Sequence, residues 1–111
     1  MTGGVLLLAA MLMLGGASHA FAGDLAAGKR KALACQTCHG LDGLSKQPEA
    51  PNLAGQPYQY LLQALHEYRE GERSVPVMRA AAGPLTEKDM QALAHWYAAQ
   101  TPCKPVQAEN P

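Results

Sequence analysis

Cys35-Gln36-Thr37-Cys38-His39 is the stretch around which the rest of this chain has to be read. Its spacing is the C-x-x-C-H pattern of covalent c-type haem attachment. Two thiols three positions apart can both reach the vinyl groups on one edge of a porphyrin. The histidine that follows can turn its imidazole onto the iron as the proximal ligand. Other readings need neighbours that this sequence does not supply. A thioredoxin-type dithiol wants a βαβ context, and no strand-period run lies nearby. A zinc site wants four ligands, and Cys103 with scattered histidines does not provide a second pair. A Cys35–Cys38 disulfide would close a tiny loop and constrain little. The motif points to one covalent haem c and to one-electron chemistry.

Upstream, Val5 to Leu14 is an apolar run too short to span a bilayer with ease. Ala20-Phe21-Ala22 fits an A-x-A cleavage site, with Ser18-His19-Ala20 as an alternative. Residues 1–22 are expected to be a cleaved signal peptide, and the domain to be periplasmic. The segment Met1-Thr2-Gly3-Gly4 carries no Lys or Arg. An uncleaved segment anchored to the inner membrane is therefore the alternative. Either outcome agrees with a haem attached outside the cytoplasm.

Residues 23–111 then form one small mono-haem domain, with 101–111 as a frayed tail. A chain this short buries a modest core and needs a staple, which the haem would supply. Nine Lys and Arg balance nine Asp and Glu. Nucleic-acid binding, which wants a basic surplus, is not expected.

Along that domain, Asp24 is placed to cap a helix running to about Ala34. Gly40 to Gln56 is broken by Gly40, Gly43, Pro48, Pro51 and Gly55 and reads as loop. Pro57 suits a helix start. Tyr58, Leu61, Leu62, Leu65 and Tyr68 follow at the spacing of one buried face, and Gly71 stops that helix. Ser74 to Pro84 reads as a short irregular segment. Thr86-Glu87-Lys88-Asp89 reads as a capping box before the stripe Met90, Leu93, Ala94 and Tyr97. The reading is all-α: three main helices and two working loops.

One histidine leaves a sixth position on a haem iron. The candidates are Met78, Met90, His66 and His95. Met90 falls on the apolar stripe of the last helix, where core packing explains it. His66 and His95 fall beside their stripes and read as surface histidines. Met78 sits between Pro76 and Gly83-Pro84, where the chain can bend to present a thioether to a metal.

The order of these features resembles class I cytochrome c. It runs from Cys35-x-x-Cys38-His39 through Pro51-Asn52-Leu53-Ala54-Gly55-Gln56 to a Tyr/Leu-rich helix ending Arg69-x-Gly71-x-Arg73. Met78 and Leu85-Thr86-x-x-Asp89 follow. The likeness is to one domain of the bacterial periplasmic di-haem cytochromes c and to their mono-haem relatives. It covers nearly all of Asp24 to Gln100. The resemblance implies a small fold of about three helices wrapped around one covalent haem. It implies thioethers on Cys35 and Cys38 and axial ligation by His39 and Met78. It also implies a hydrogen bond from the His39 ring to the backbone carbonyl of Pro51. Gly28 and Tyr97 match the family's crossing of terminal helices. Only one C-x-x-C-H is present, so a two-haem relay is not implied, and Cys103 lies outside the pattern.

The expected function is a one-electron carrier, not an enzyme, meeting redox protein partners transiently. The alternative is a cytochrome subunit of a periplasmic dehydrogenase complex, or a haem-based ligand sensor. No stable membrane insertion is expected once the signal is cleaved. A monomer is expected, with a disulfide dimer through Cys103 as the alternative. Lys29, Arg30 and Lys31, with Arg69, Arg73 and Arg79, read as solvated surface charge, offset locally by Glu67, Glu70 and Glu72.

Overall fold

The computed structural model describes Met1 and residues 18–103. Five helices and no strands occur among the described residues: α1 (Ser18–Ala32), α2 (Gln36–His39), α3 (Tyr58–Glu70), α4 (Pro76–Ala82) and α5 (Glu87–Ala98). The expected all-α class holds. α1 and α5 cross closely, α3 packs on α5, and α4 packs on α3. The apolar run Val5–Leu14 and the tail beyond Cys103 lie outside the described residues.

Two close fits explain the frame. At Gly28, any Cβ would meet the Ala92 carbonyl and would lie 2.7 Å from Trp96 Cβ. The missing side chain lets α1 sit directly on α5, which outweighs the helix cost of glycine. The nearest contact partners are Ala92 and Trp96, at the expected crossing of α1 and α5. At the start of α5, Thr86 accepts from Asp89 N while the Asp89 carboxylate accepts from Thr86 N, both at 3.1 Å. That is the expected capping box.

Three local expectations are corrected. Asp24 does not cap α1, because the helix already begins at Ser18. Ala20, Ala22, Ala26 and Ala27 carry high helix propensity through that stretch. The helix also ends at Ala32, where Cys35 N donates to Ala32 O at 2.9 Å in a tighter turn. α2 winds the Cys35–His39 motif into one helical turn. Ser74 to Pro84 is largely helical. Pro76 stands at the first position of α4 and Gly83 at its C-cap, so both breakers sit at tolerated ends.

Ala32, Leu61, Leu93, Ala94 and Tyr97 form the buried cluster, with Leu41, Leu53, Leu62, Leu65 and Leu85 packed partly buried against it. The long loop is laced to the helices rather than loose. Leu53 N and Ala54 N donate to Gly43 O at 2.8 and 3.0 Å, and Gly55 N donates to Tyr97 O at 3.0 Å. The Tyr97 hydroxyl donates to Gly40 O at 3.1 Å. Burial holds that phenol above its ordinary pKa, so it remains a donor. α5 thereby fixes the backbone immediately after His39.

Candidate functional site

A cleft opens between α2, the 51–56 loop, α3, α4 and α5. Its walls are largely apolar: Leu53, Leu61, Ala64, Leu65, Leu93 and Ala94 face it. Cys35 and His39 line it, and so do Pro51 and Met78.

α2 explains the first pair. One helical turn, closed by His39 N donating to Cys35 O at 3.0 Å, puts Cys35 and His39 on one side. His39 is 6 % exposed, the one buried polar residue among those described. Its Nδ1 lies 2.8 Å from Pro51 O. A carbonyl can only accept, so Nδ1 carries the proton and Nε2 keeps its lone pair for a metal. Cys35 is half-buried, and burial first, then the neighbouring Cys38, pushes its thiol above the ordinary pKa. Cys38 is partly exposed and donates weakly to Gln47 Oε1 at 3.5 Å. The two form no disulfide.

Met78 approaches from a helix, α4, and not from a bent loop. Met90 is wholly buried in the core and does not line the cleft. Neither remaining candidate lines it. His66 Nε2 contacts Glu87 Oε2 at 2.6 Å, and the His95 ring stacks on Tyr58 at 4.2 Å. Cys103 is exposed.

Two further lining residues were not singled out from the sequence. Asn52 lines the cleft while its Oδ1 accepts from Ser45 N at 2.7 Å. Arg73 had been grouped with surface cations, yet it too lines the cleft. The available signal was its place two residues past Gly71, whose left-handed backbone (φ 82°) turns the chain back toward α3.

The residues suit a haem. The cleft is apolar enough for a porphyrin face, one histidine nitrogen is free for iron, and two thiols stand on the same turn. No group of three or more His, Cys, Asp or Glu among the described residues is arranged to hold a bare metal ion.

Comparison with known proteins agrees. The cytochrome c family model matches residues 25–99. Cytochrome c4 of Pseudomonas aeruginosa is 43% identical over 97 residues, covering 86% of this chain and 48% of that protein. Cytochrome c-554(548) of Halomonas halodenitrificans is 39% identical over 82 residues, covering 71% of this chain and 99% of that protein. The crystal structure of reduced recombinant cytochrome c4 from Pseudomonas stutzeri superposes with a TM-score of 0.66 at 26% identity, over 72% of this chain and 50% of that one. The chain spans about half the length of the cytochrome c4 proteins it matches. It belongs to the cytochrome c family and is a haem c protein.

Proposed function

We propose that this cytochrome c is an exported, periplasmic electron carrier, residues 1–22 being its cleaved signal and 23–111 its mono-haem domain. Cys35 and Cys38 would hold the haem by thioethers, and His39 and Met78 would ligate its iron. The haem supplies a one-electron iron couple. The chain's own residues do the rest. Pro51 O fixes the His39 ring so that Nε2 faces the cleft. α4 brings Met78 to the same cleft. The apolar walls exclude water from between the two ligands. With both His39 and Met78 as ligands the iron would have no position left for a substrate, which favours transfer over catalysis. Partners would be redox proteins docking briefly, over a small contact. Among the described residues no helix is long and apolar enough to cross a membrane.

The observation that carries this reading is the shared lining of one cleft by Cys35, His39 and Met78. Spectra test it. Exported protein should give a pyridine haemochrome of one haem c. Its reduced form should be low-spin and indifferent to carbon monoxide. Rapid carbon monoxide binding by the folded protein would favour the sensor reading instead.

A further inference from the structure

The C-terminal turn of α3 closes around one ion pair. Arg73 Nε donates to Glu67 Oε2 at 2.5 Å. Glu72 N and Arg73 N donate to Glu67 O at 2.8 and 3.2 Å. Glu67 therefore holds the returning chain by both its carbonyl and its carboxylate. The guanidinium lies over two rings, 5.8 Å from the Tyr60 centroid and 5.4 Å from that of Tyr68. Tyr60, Tyr68 and Arg73 all line the cleft that His39 and Met78 line. Glu67 does not, so the cation is the nearer charge of the pair. The other ion-paired cations point elsewhere: Arg69 to Glu70, Lys31 to Asp89, Lys46 to Asp42. Arg73 is the one Lys or Arg among the lining residues.

Resting on the ligation read above, we propose that Arg73 sets the reduction potential: its guanidinium, locked in the cleft wall by Glu67, Tyr60 and Tyr68, favours the reduced iron. The step is plain one-electron transfer. A donor redox protein gives one electron to ferric iron, and the ferrous site later returns it to an acceptor. Oxidation adds one positive charge inside a low-dielectric cleft, and a fixed cation in the wall opposes that addition. The anchoring matters, because a mobile side chain would swing into water and be screened. The Glu67 hydrogen bond further favours the protonated guanidinium, which keeps its charge across the working pH range in any case. The rings also suit a planar cation better than an ammonium.

Spectroelectrochemical titration of the full haem-loaded protein tests this, using the parent, Arg73→Gln, Arg73→Lys and Glu67→Gln. Arg73→Gln should shift the redox equilibrium about three- to tenfold toward the oxidised form, and less at high salt. Glu67→Gln keeps an amide oxygen that can accept from Arg73 Nε, so the anchor stays while the opposing charge goes, and it should shift the equilibrium the other way, toward the reduced form. Arg73→Lys keeps the charge and should restore most of the parent value. All should keep the sulfur–iron absorption band. Shifts of the same sign in Arg73→Gln and Glu67→Gln, or no shift in Arg73→Gln, would overturn the proposal. Where Arg73→Gln does not fold, Glu67→Gln decides: any result but a shift toward the reduced form overturns it. A parent lacking the sulfur–iron band strikes at Met78 ligation, and is seen before any variant is titrated.

Discussion

His39 Nδ1 and Pro51 O meet at 2.8 Å across 12 positions of chain. Pro51 supplies a backbone atom, so Pro51→Ala keeps the acceptor and loosens only the loop that presents it. The variant should retain its haem and its sulfur–iron band. Loss of roughly 1 kcal/mol of closure should make the Nδ1 proton exchange about fivefold faster. Nitrogen-15 histidine spectra of the reduced protein measure it. Unchanged exchange would mean that the Leu53 and Ala54 bonds to Gly43 hold the loop without help from the proline ring.

The two methionines should separate cleanly. Oxidised parent protein should show the weak band at the near-infrared edge that sulfur–iron(III) bonding gives. Met78→Ala should lose it. Met90→Ala should keep it and cost about 2–5 kcal/mol in urea unfolding, since Met90 is 0% exposed. A band that survives Met78→Ala and vanishes in Met90→Ala would exchange their roles.

Much of this was legible because each signal was local. The Cys35–His39 spacing, the stripe from Tyr58 to Tyr68 and the Thr86–Asp89 box depend on neighbours within about a turn or two. What escaped were balances between signals. Pro76 and Gly83 break helices in an interior and are welcome at ends, so α4 was read as irregular. Asp24 is a good cap, but the surrounding alanines propagate a helix past it. Arg73 looked like surface charge, because its cleft-facing place depends on the turn at Gly71 and on Glu67 and two tyrosines contributed by α3.

The capping box gives a pH dependence with a definite sign. The Asp89 carboxyl is held below its ordinary value of 3.8, first by the Thr86 backbone hydrogen bond, then by Lys31. A depressed folded-state value means that its contribution is complete above about pH 4 and fades as pH falls through the lower folded-state value. Asp89→Asn should therefore flatten the acid limb of the melting curve while changing it less below that value. Thr86→Ala should cost about 0.5–2 kcal/mol at neutral pH. Thermal melts from pH 2 to 7 measure both. An acid limb identical in Asp89→Asn would place the sensitivity on Glu67 or Glu87, which are also held low.

Gly28→Ala sets two magnitudes against each other. Alanine gains about 1 kcal/mol of helix propensity over glycine. The new methyl would meet the Ala92 backbone and Trp96 Cβ at 2.7 Å. Backbone cannot step aside cheaply, and overpacking of this kind costs about 1–3 kcal/mol. The net should be destabilising, with Trp96 losing its 2.8 Å bond to Leu41 O as α1 is pushed off. Urea unfolding followed by tryptophan fluorescence reads the sign. A stabilised Gly28→Ala would show that the α1–α5 contact relaxes more readily than its geometry suggests.

The last prediction concerns the haem as part of the core. Among the described residues the buried hydrophobic ones are Ala32, Ala54, Leu61, Ala82, Met90, Ala92, Leu93, Ala94 and Tyr97. Five of those nine are alanine, which buries little apolar area per residue. The larger side chains, Leu53, Leu61, Leu65, Leu93 and Tyr97, border the cleft. Leu61, Leu93 and Tyr97 are buried against one another, but Leu53 and Leu65 are only partly covered on the open cleft wall, and a domain this small gains little from so modest a core. A haem bound by the folded state shifts the equilibrium toward it, and covalent attachment keeps it at hand. A Cys35→Ala/Cys38→Ala chain free of haem should therefore show weak helical circular dichroism and no sharp melt. The haem protein should unfold cooperatively. The same packing would hold His39 and Met78 in place in both oxidation states, so that changing the charge calls for little movement. A haem-free chain with full helicity and a sharp transition would show that α1, α3 and α5 carry the fold alone, and that the cleft is a preformed receptor rather than half of a core.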